Sequence, residues 1–229
     1  MTEKVVLAVH VGSEDSGGNL AVVMRAFEGG GAQRDMVLLC NALFAKGVRL
    51  TILVLRNEGR LRCLLDPGIE VIEVAGQRLR YAIPGLRKAL RALAPGCVVS
   101  SEAALNLCSF IAVRSLPRRD RPRLVLREVG SPSLAQRHDP HPQNRAAYRV
   151  LRYLYRHADR IITLTGGARR DLIQNFSVPE RIISVMRANA VVPPAGSPAG
   201  TARPAARRIS SSASGACHPR RIIERCCRP

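Results

Sequence analysis

The residues best suited to chemistry surround a glycine turn near the amino terminus. They are Gly29, Gly30, Gly31, Gln33 and Arg34. An apolar run, residues 20–24, precedes this turn, and an amphipathic helical pattern follows it. Glycines let the backbone approach a ligand closely, and a helix start presents unpaired N–H groups at its positive dipole end. The turn therefore predicts a site for a phosphate or a sugar hydroxyl.

A tight turn that binds nothing explains the same residues. The P-loop requires Gly-Lys followed by Ser or Thr, and the turn has no such sequence. Arg34 stands where the GxGxxG fingerprint has its third glycine. The residues of the turn alone leave both interpretations open.

The elements that must position this turn alternate along the chain. After the strand at 20–24, apolar runs predict strands at 48–55, 69–74, 97–100, 124–127, 161–164 and 182–186. Helical patterns lie between them, after the glycine turn and at 84–94, 103–115, 144–157 and 168–176. This order predicts the α/β class, a doubly wound parallel sheet. Ligands of such sheets bind at the carboxyl ends of strands, so the turn, residues 127–139 and Thr165 should share one rim.

The chain is strongly basic, with 36 Lys and Arg against 17 Asp and Glu and a net charge of +19. This excess admits nucleic acid, an anionic membrane face or phosphorylated substrates as partners. Aromatic residues make up only 3% of the chain and Trp is absent, which argues against nucleic-acid recognition. The predicted helix at 144–157 interleaves Tyr with Arg, a pattern that suits a lipid or nucleic acid, but an outer helix with snorkelling arginines is favoured. Its predicted buried residues are Ala147, Val150, Leu151, Leu154 and Ala158.

The cysteines and the lengths of the apolar runs indicate the cellular compartment of the protein. Cys40, Cys63, Cys97 and Cys108 lie in or beside apolar runs without a CxxC pair, so we predict small core residues in a reducing compartment. No apolar run reaches 18 residues, and no signal-peptide pattern opens the chain. These features predict a cytoplasmic protein that can touch the inner face of the plasma membrane.

Two ordered motifs resemble the amino-terminal domain of family 4 glycosyltransferases. The first is the glycine turn, residues 28–34, with the helix end at 41–47, and the second is Ala158 to Ile162 followed by Thr165. Residues 178–186 are similar to the strand that crosses to a second domain, with Asn189 in the place of its Asn. The resemblance covers residues 20–192 and implies a Rossmann-like half of a two-domain GT-B enzyme. It implies transfer of a hexose from a nucleotide sugar to an acceptor hydroxyl, with retention and without a cofactor.

The resemblance also assigns roles to residues. The glycine turn would contact the donor phosphates through its N–H groups, and Gln33 and Arg34 would reach donor or acceptor oxygens. Family members often place a His facing the acceptor where this chain has Val129 or Gly130, so Glu128 becomes the acceptor-binding or proton-accepting group. The alternative for Glu128 is an ion pair at the rim with the adjacent arginine, Arg127. Ser131 and His138 would belong to a loop over the acceptor, and the loose spacing of its His and Asp residues predicts no metal.

Composition divides the chain into three predicted parts. Residues 1–18 are an expected extension, residues 19–192 the glycosyltransferase-like domain, and residues 193–229 a disordered basic tail of Ala, Pro, Ser, Gly and Arg. A second, nucleotide-holding half is not recognisable after residue 194. A truncated or frame-shifted gene would give this pattern, and so would a tail that evolved separately. A chain with half of the cleft is not expected to catalyse transfer as it stands.

The resulting functional prediction is the amino-terminal part of a retaining glycosyltransferase of surface polysaccharide or glycolipid synthesis. Its expected partners are a nucleotide sugar and a glycan or lipid-linked acceptor, with peripheral contact to an anionic membrane. A sugar-nucleotide epimerase of the same fold is one alternative, which a carboxylate pair deep in the cleft would favour. A non-catalytic module that binds an anionic partner is the other.

Overall fold

A computed structural model describes residues 19–74 and 79–186 of the chain. Seven strands in this part form one sheet in the order β3-β2-β1-β4-β5-β6-β7, and every neighbouring pair is parallel. The strands are β1 (Leu20–Met24), β2 (Leu50–Val54), β3 (Glu70–Glu73), β4 (Cys97–Ser101), β5 (Arg123–Glu128), β6 (Arg160–Thr163) and β7 (Ile183–Val185). The α-helices are α1 (Gly31–Phe44), α2 (Leu79–Leu93), α3 (Ala103–Arg114), α4 (Pro132–His138), α5 (Pro142–Leu154) and α6 (Gly166–Phe176).

Helices cover both faces of the sheet, because successive residues of each strand point to opposite sides. Leu20, Val22 and Met24 of β1 pack with buried residues of α1, whereas Ala21 and Val23 pack with α2 and α3. Helices α5 and α6 share this second core. The predicted Rossmann-like, doubly wound fold is therefore confirmed.

The order of the strands creates a crevice. The chain runs outward from β1 to β3 and then returns to β4, on the other side of β1. Connections therefore leave the carboxyl ends of β1 and β4 in opposite directions, which opens space at this topological switch point. The glycine turn follows β1, and Glu102 follows β4, so both lie beside the crevice.

Each predicted strand and helix within the described ranges is present, with ends that differ by a few residues. Helix α4 differs from the sequence-based prediction, which is a loop in this segment. Its sequence carries only one buried residue, Pro132, and therefore shows no clear apolar period. The predicted extension, the basic tail and Asn189 lie outside the described residues.

Three of the four cysteines in the described part are core residues, as predicted. Burial raises the pKa of the Cys40 thiol to about 12 and the pKa of Cys97 and Cys108 to about 11. Cys63 is exposed, in a 3₁₀ turn at Arg60–Leu64, so the prediction of a core position is wrong for this residue.

Candidate functional site

A cavity of about 430 Å³ lies at the carboxyl ends of β4 and β5, beside the first turn of α1. We call it the rim cavity. Its walls are Ala32, Glu102, Ala103, Glu128, Val129, Gly130, Ser131, Leu134, Ala135, His138, Asp139, Asn144 and Tyr148. The predicted residues Glu128, Ser131 and His138 therefore lie around one space, and Ala32 brings the helix of the glycine turn to its edge.

The glycine turn forms the start of α1. Gly31 is the first helical residue, and Gly30 is the N-cap with extended φ and ψ of −76° and 148°. Neither residue uses a positive φ. A Cβ on Gly31 would meet nothing within 4 Å, so a ligand can approach the N–H groups of the first helical turn. The glycines thus give open access to the backbone rather than an unusual backbone conformation.

The side chains around the glycine turn differ in exposure and in the contacts that they already make. The Oε1 atom of Gln33 accepts a bond of 3.4 Å from the N–H of Gly30. Arg34 is exposed on the solvent side of α1. The guanidinium of Arg60 lies against Gly29, where it would overlap any added Cβ. Arg60 was not predicted as a site residue, because it lies far from the turn in sequence.

Glu102 joins the two sides of the switch point. Its carboxylate accepts bonds from Arg25 Nε at 3.3 Å and from Gln33 Nε2 at 3.2 Å. The residue has a φ of 79° and a ψ of 134°, a conformation that side chains with a Cβ rarely adopt. Strained non-glycine residues cluster at functional sites, which makes Glu102 a candidate site residue beside the crevice. The sequence contains no pattern that reveals this, because nothing marks residue 102 as having a positive φ.

We expect Glu102→Gly to be more stable than Glu102→Ala. Both variants lose the contacts to Arg25 and Gln33, but only glycine adopts a φ of 79° without strain. Relief of roughly 1–3 kcal/mol of strain, less roughly 0.4–1 kcal/mol of glycine's extra chain entropy, leaves about 1 kcal/mol in favour of glycine. Urea unfolding of the two variants measures this difference. An alanine variant of equal or greater stability would show that Glu102 is unstrained.

Glu128 is the most deeply buried acid at the rim cavity, with 2% of its surface exposed. Asn106 Nδ2 donates to its Oε1 at 3.0 Å, Tyr148 donates to its Oε2 at 2.8 Å, and the hydroxyl of Tyr155 also donates to Oε1. Burial raises the pKa of Glu128 to about 7, although the three hydrogen bonds counteract this effect. A carboxyl group that titrates near neutral pH can both accept and return a proton.

Arg127 does not form the rim ion pair that was the alternative for Glu128, so this interpretation is wrong. Adjacent residues of a strand face opposite sides of the sheet, and Arg127 therefore lies on the α1 side. Its guanidinium contacts Asp35 of α1, and only 1% of the arginine side chain is exposed. Its Nε and Nη1 atoms have no hydrogen-bond partner in the described part of the chain.

The two other predicted acceptor residues, Ser131 and His138, lie at the ends of a short helix instead of in a loop. Ser131 is the N-cap of α4, and its hydroxyl donates to Asp171 of α6 at 2.5 Å. Burial alone would raise the pKa of Asp171, but hydrogen bonds from Ser131, Ser133 and Asn175 hold it below the ordinary value. His138 is the last residue of α4 and is exposed at the cavity wall. The predicted loop is thus a short helix tied to α6.

The tyrosines of α5 and the following turn do not share one exposed face, as the less favoured lipid or nucleic-acid surface would require. Tyr148 and Tyr155 are buried and hold Glu128, whereas Tyr153 is 63% exposed. Val150, predicted to be buried, is 45% exposed. The spacing of Tyr148, Leu151 and Tyr155 at i, i+3 and i+7 was the signal for this buried face.

No group of three or more His, Cys, Asp or Glu is arranged to hold a metal ion within residues 19–74 and 79–186. None of the helices in those ranges is long and apolar enough to cross a membrane.

The sequence of the chain matches one family model, described as a glycosyl transferase 4-like domain, over residues 30–188. A search of curated protein sequences finds no significant match. The solved structures that resemble the chain include HepE from Anabaena, in complex with UDP-glucose. It has 16% sequence identity and a TM-score of 0.55, and the likeness covers 75% of this chain and 44% of HepE.

Two further structures show the same likeness. WaaG, a glycosyltransferase involved in lipopolysaccharide biosynthesis, has 15% identity and a TM-score of 0.52, over 72% of this chain and 44% of WaaG. The UDP-GlcNAc 2-epimerase from Methanocaldococcus jannaschii has 12% identity and a TM-score of 0.51, over 73% of this chain and 45% of the epimerase. At these identities the likeness shows the fold, and the chain spans less than half the length of each structure.

Proposed function

The chain belongs to the glycosyl transferase 4-like family, and from this premise we propose that it is the acceptor-side half of a retaining glycosyltransferase. The reaction is transfer of a hexose from a nucleotide sugar to an acceptor hydroxyl, in the synthesis of a surface polysaccharide or glycolipid. No cofactor beyond the donor is needed. The observation that carries this proposal is the rim cavity. There the carboxyl group of Glu128, with a pKa of about 7, lies near the open start of α1.

The acceptor hydroxyl enters the rim cavity in this proposal. Glu128 lines the cavity with Tyr148, which holds the carboxyl in place. Transfer requires the acceptor oxygen to lose a proton, and Glu128 can accept it because its pKa is about 7. His138 and Ser131 form the neighbouring walls and contact the acceptor's other hydroxyl groups. An acceptor on a lipid carrier would bring the protein to the inner face of the membrane.

The donor phosphates bind at the glycine turn in this proposal. The first-turn N–H groups of α1 and the positive end of its dipole suit an anion. The guanidinium of Arg60 lies against Gly29 and adds positive charge at the same place. UDP-glucose is the first donor to test, because HepE was solved with it. A second half of the enzyme would hold the nucleotide and close the cleft.

Gly31→Asp tests the donor site. A Cβ at this position meets nothing within 4 Å, and a carboxylate is favourable at a helix start, so the variant should be as stable as the wild type or more so. It repels a phosphate, so we expect UDP-glucose to bind at least about tenfold more weakly than to the wild type. Gly31→Asn, which has the same shape without the charge, is the matched control and should bind within about threefold of the wild type.

Binding is measured by NMR titration of the 229-residue chain, with the amides of Gly30 and Gly31 as reporters. Saturable shifts at these amides that weaken in the Asp variant support the donor site. Shifts elsewhere only, or equal affinity of the Asp and Asn variants, would contradict it. A nucleotide sugar that leaves all three proteins unchanged would also contradict donor binding by this half.

A sugar-nucleotide epimerase is the second candidate, because Glu102 and Glu128 are two of the three carboxylates, with Asp139, that line the same cavity. Such a pair can remove and return a proton at one sugar carbon. Incubation of UDP-GlcNAc with the chain in D₂O, without an acceptor, distinguishes the two reactions. Deuterium at the sugar C2 would favour the epimerase, whereas release of UDP that depends on an acceptor would favour the transferase.

A further inference from the structure

A second cavity, of about 420 Å³, lies at the opposite end of the sheet from the rim cavity. It opens where β5 begins, at Arg123, and where Asp159 precedes β6. We call it the arginine cavity. Its walls are Val113, Arg114, Arg118, Arg121, Pro122, Arg123 and Asp159. The proposed transfer site uses none of these residues.

Backbone carbonyls hold two of the guanidinium groups in place. Arg121 donates from Nε to the carbonyl of Leu116 at 2.8 Å and from Nη2 to the carbonyl of Arg114 at 2.7 Å. The guanidinium of Arg114 donates to the carbonyl of His157. Carbonyl oxygens orient a guanidinium without cancelling its formal charge, so these bonds leave the positive charges available to a ligand.

The charges in the arginine cavity are unbalanced. Even without Arg123, three guanidinium groups line it, those of Arg114, Arg118 and Arg121, and Asp159 is the one carboxylate among the described wall residues. Oδ2 of that carboxylate accepts the N–H of Leu124 at 2.8 Å. Bringing three like charges to one concave space raises the local positive potential, which costs free energy unless an anion binds. The nearby carboxylate of Asp120 lies 3.6 Å from Arg119, which is not a wall residue.

We propose that the arginine cavity binds a compact anion that presents a phosphate group. Planar guanidinium groups match the oxygens of a phosphate in bidentate pairs, which favours phosphate as the ligand group. A concave volume of this size suits a small molecule or a lipid head group more than an extended polymer. The free anion and the head group share the same chemistry, and the experiment distinguishes these sources.

The test is an NMR titration of the 229-residue chain with inorganic pyrophosphate, with the amides of Leu124 and Asp159 as reporters. The test variant is Arg118→Gln with Arg123→Gln. The matched control is Arg87→Gln with Arg91→Gln, which removes the same charge from exposed positions of α2. We expect the cavity variant to bind pyrophosphate about tenfold or more weakly at these reporters, and the control to stay within about twofold of the wild type.

The amide of Gly31 reports separately on the proposed donor site, so binding at the two ends of the sheet is not confused. Equal weakening in the cavity variant and the control would assign the effect to net charge and overturn the inference. Absence of saturable shifts at Leu124 and Asp159 would overturn it as well. Thermal unfolding checks that both variants remain folded.

Vesicles identify the source of the anion. The ligand is a lipid head group if three results agree. Phosphatidylglycerol vesicles bind the wild type, added pyrophosphate displaces the wild type from them, and the cavity variant does not bind them. If pyrophosphate binds at the reporters while phosphatidylglycerol and phosphatidylcholine vesicles do not bind, the ligand is a free anion. Vesicle binding that the cavity variant retains, without pyrophosphate shifts, would overturn the inference.

Discussion

Replacing Asp35 with alanine should lower the free energy of unfolding by about 3–5 kcal/mol, because it leaves a buried charge without its counterion. Arg127 is 1% exposed, and Asp35 is its ion-pair partner. The Nε and Nη1 atoms of Arg127 already have no hydrogen-bond partner in the described part of the chain. Burial lowers the pKa of Arg127 to about 10, so the guanidinium stays charged at neutral pH and cannot escape the cost by losing a proton.

Urea unfolding at pH 7 measures this loss, and a double variant tests its cause. Adding Arg127→Met to Asp35→Ala removes the buried charge that has no counterion and fills its space with apolar atoms. Most of the lost free energy of unfolding should therefore return. Asp120→Ala is the control, because Asp120 pairs with an arginine, Arg119, that is 88% exposed. Such an exposed pair is worth at most about 1 kcal/mol. The prediction would be contradicted if Asp35→Ala lost no more unfolding free energy than Asp120→Ala. It would also be contradicted if the double variant were no more stable than Asp35→Ala.

Glu128 should make the protein less stable as the pH rises from 5 to 8. The pKa of this carboxyl is 4.5 in its unperturbed state and about 7 in the folded protein, mainly because of burial. Between these values the folded state holds a proton that the unfolded state has lost. The stabilisation is therefore complete below pH 4.5 and disappears as the pH rises through 7. We expect a loss of about 2–3 kcal/mol between pH 5 and pH 8, relative to a variant that cannot ionise.

Glu128→Gln is that variant, and it can keep the network. Its Oε1 accepts from Asn106 and Tyr155, while its Nε2 donates to Tyr148 after the hydroxyl rotates. The measurement is the unfolding free energy of wild type and variant at several pH values. Glu73→Gln removes the same charge from an exposed residue of β3 and is the matched surface control. A difference between wild type and the Glu128 variant that does not change with pH would show that Glu128 is ionised throughout.

Local pattern was sufficient to predict the sheet. Residues 20–24 are uninterrupted apolar residues, and the structure buries all five in β1. The turn before α1 was predictable because three glycines separate a continuous apolar run from a helical period. Helix α4 is not predictable from its short sequence, because it has one buried residue and its N-terminus is bound by Asp171 of α6, which is distant in sequence.

The chemistry of the candidate site was less predictable, because it depends on contacts between distant residues. An acid at the end of a strand can face solvent or the core, and the residues around Glu128 do not show which. The donors Asn106, Tyr148 and Tyr155 come from two other segments, and only the folded chain brings them to one carboxylate. Glu102 was missed for the same reason, since its partners Arg25 and Gln33 follow a different strand.

The position of β1 between β2 and β4 also affects how the chain folds during synthesis. Strands β1, β2 and β3 can pair as soon as they leave the ribosome, but β1 then exposes one open edge until β4 arrives. Arg25 and Glu102, which face each other across this gap, are 77 residues apart. Pairing over such a distance is slow, because the intervening chain must close a long loop. The nascent protein thus carries a central strand with one unpaired edge, which favours aggregation, and a holdase chaperone should bind it most strongly before β4 emerges.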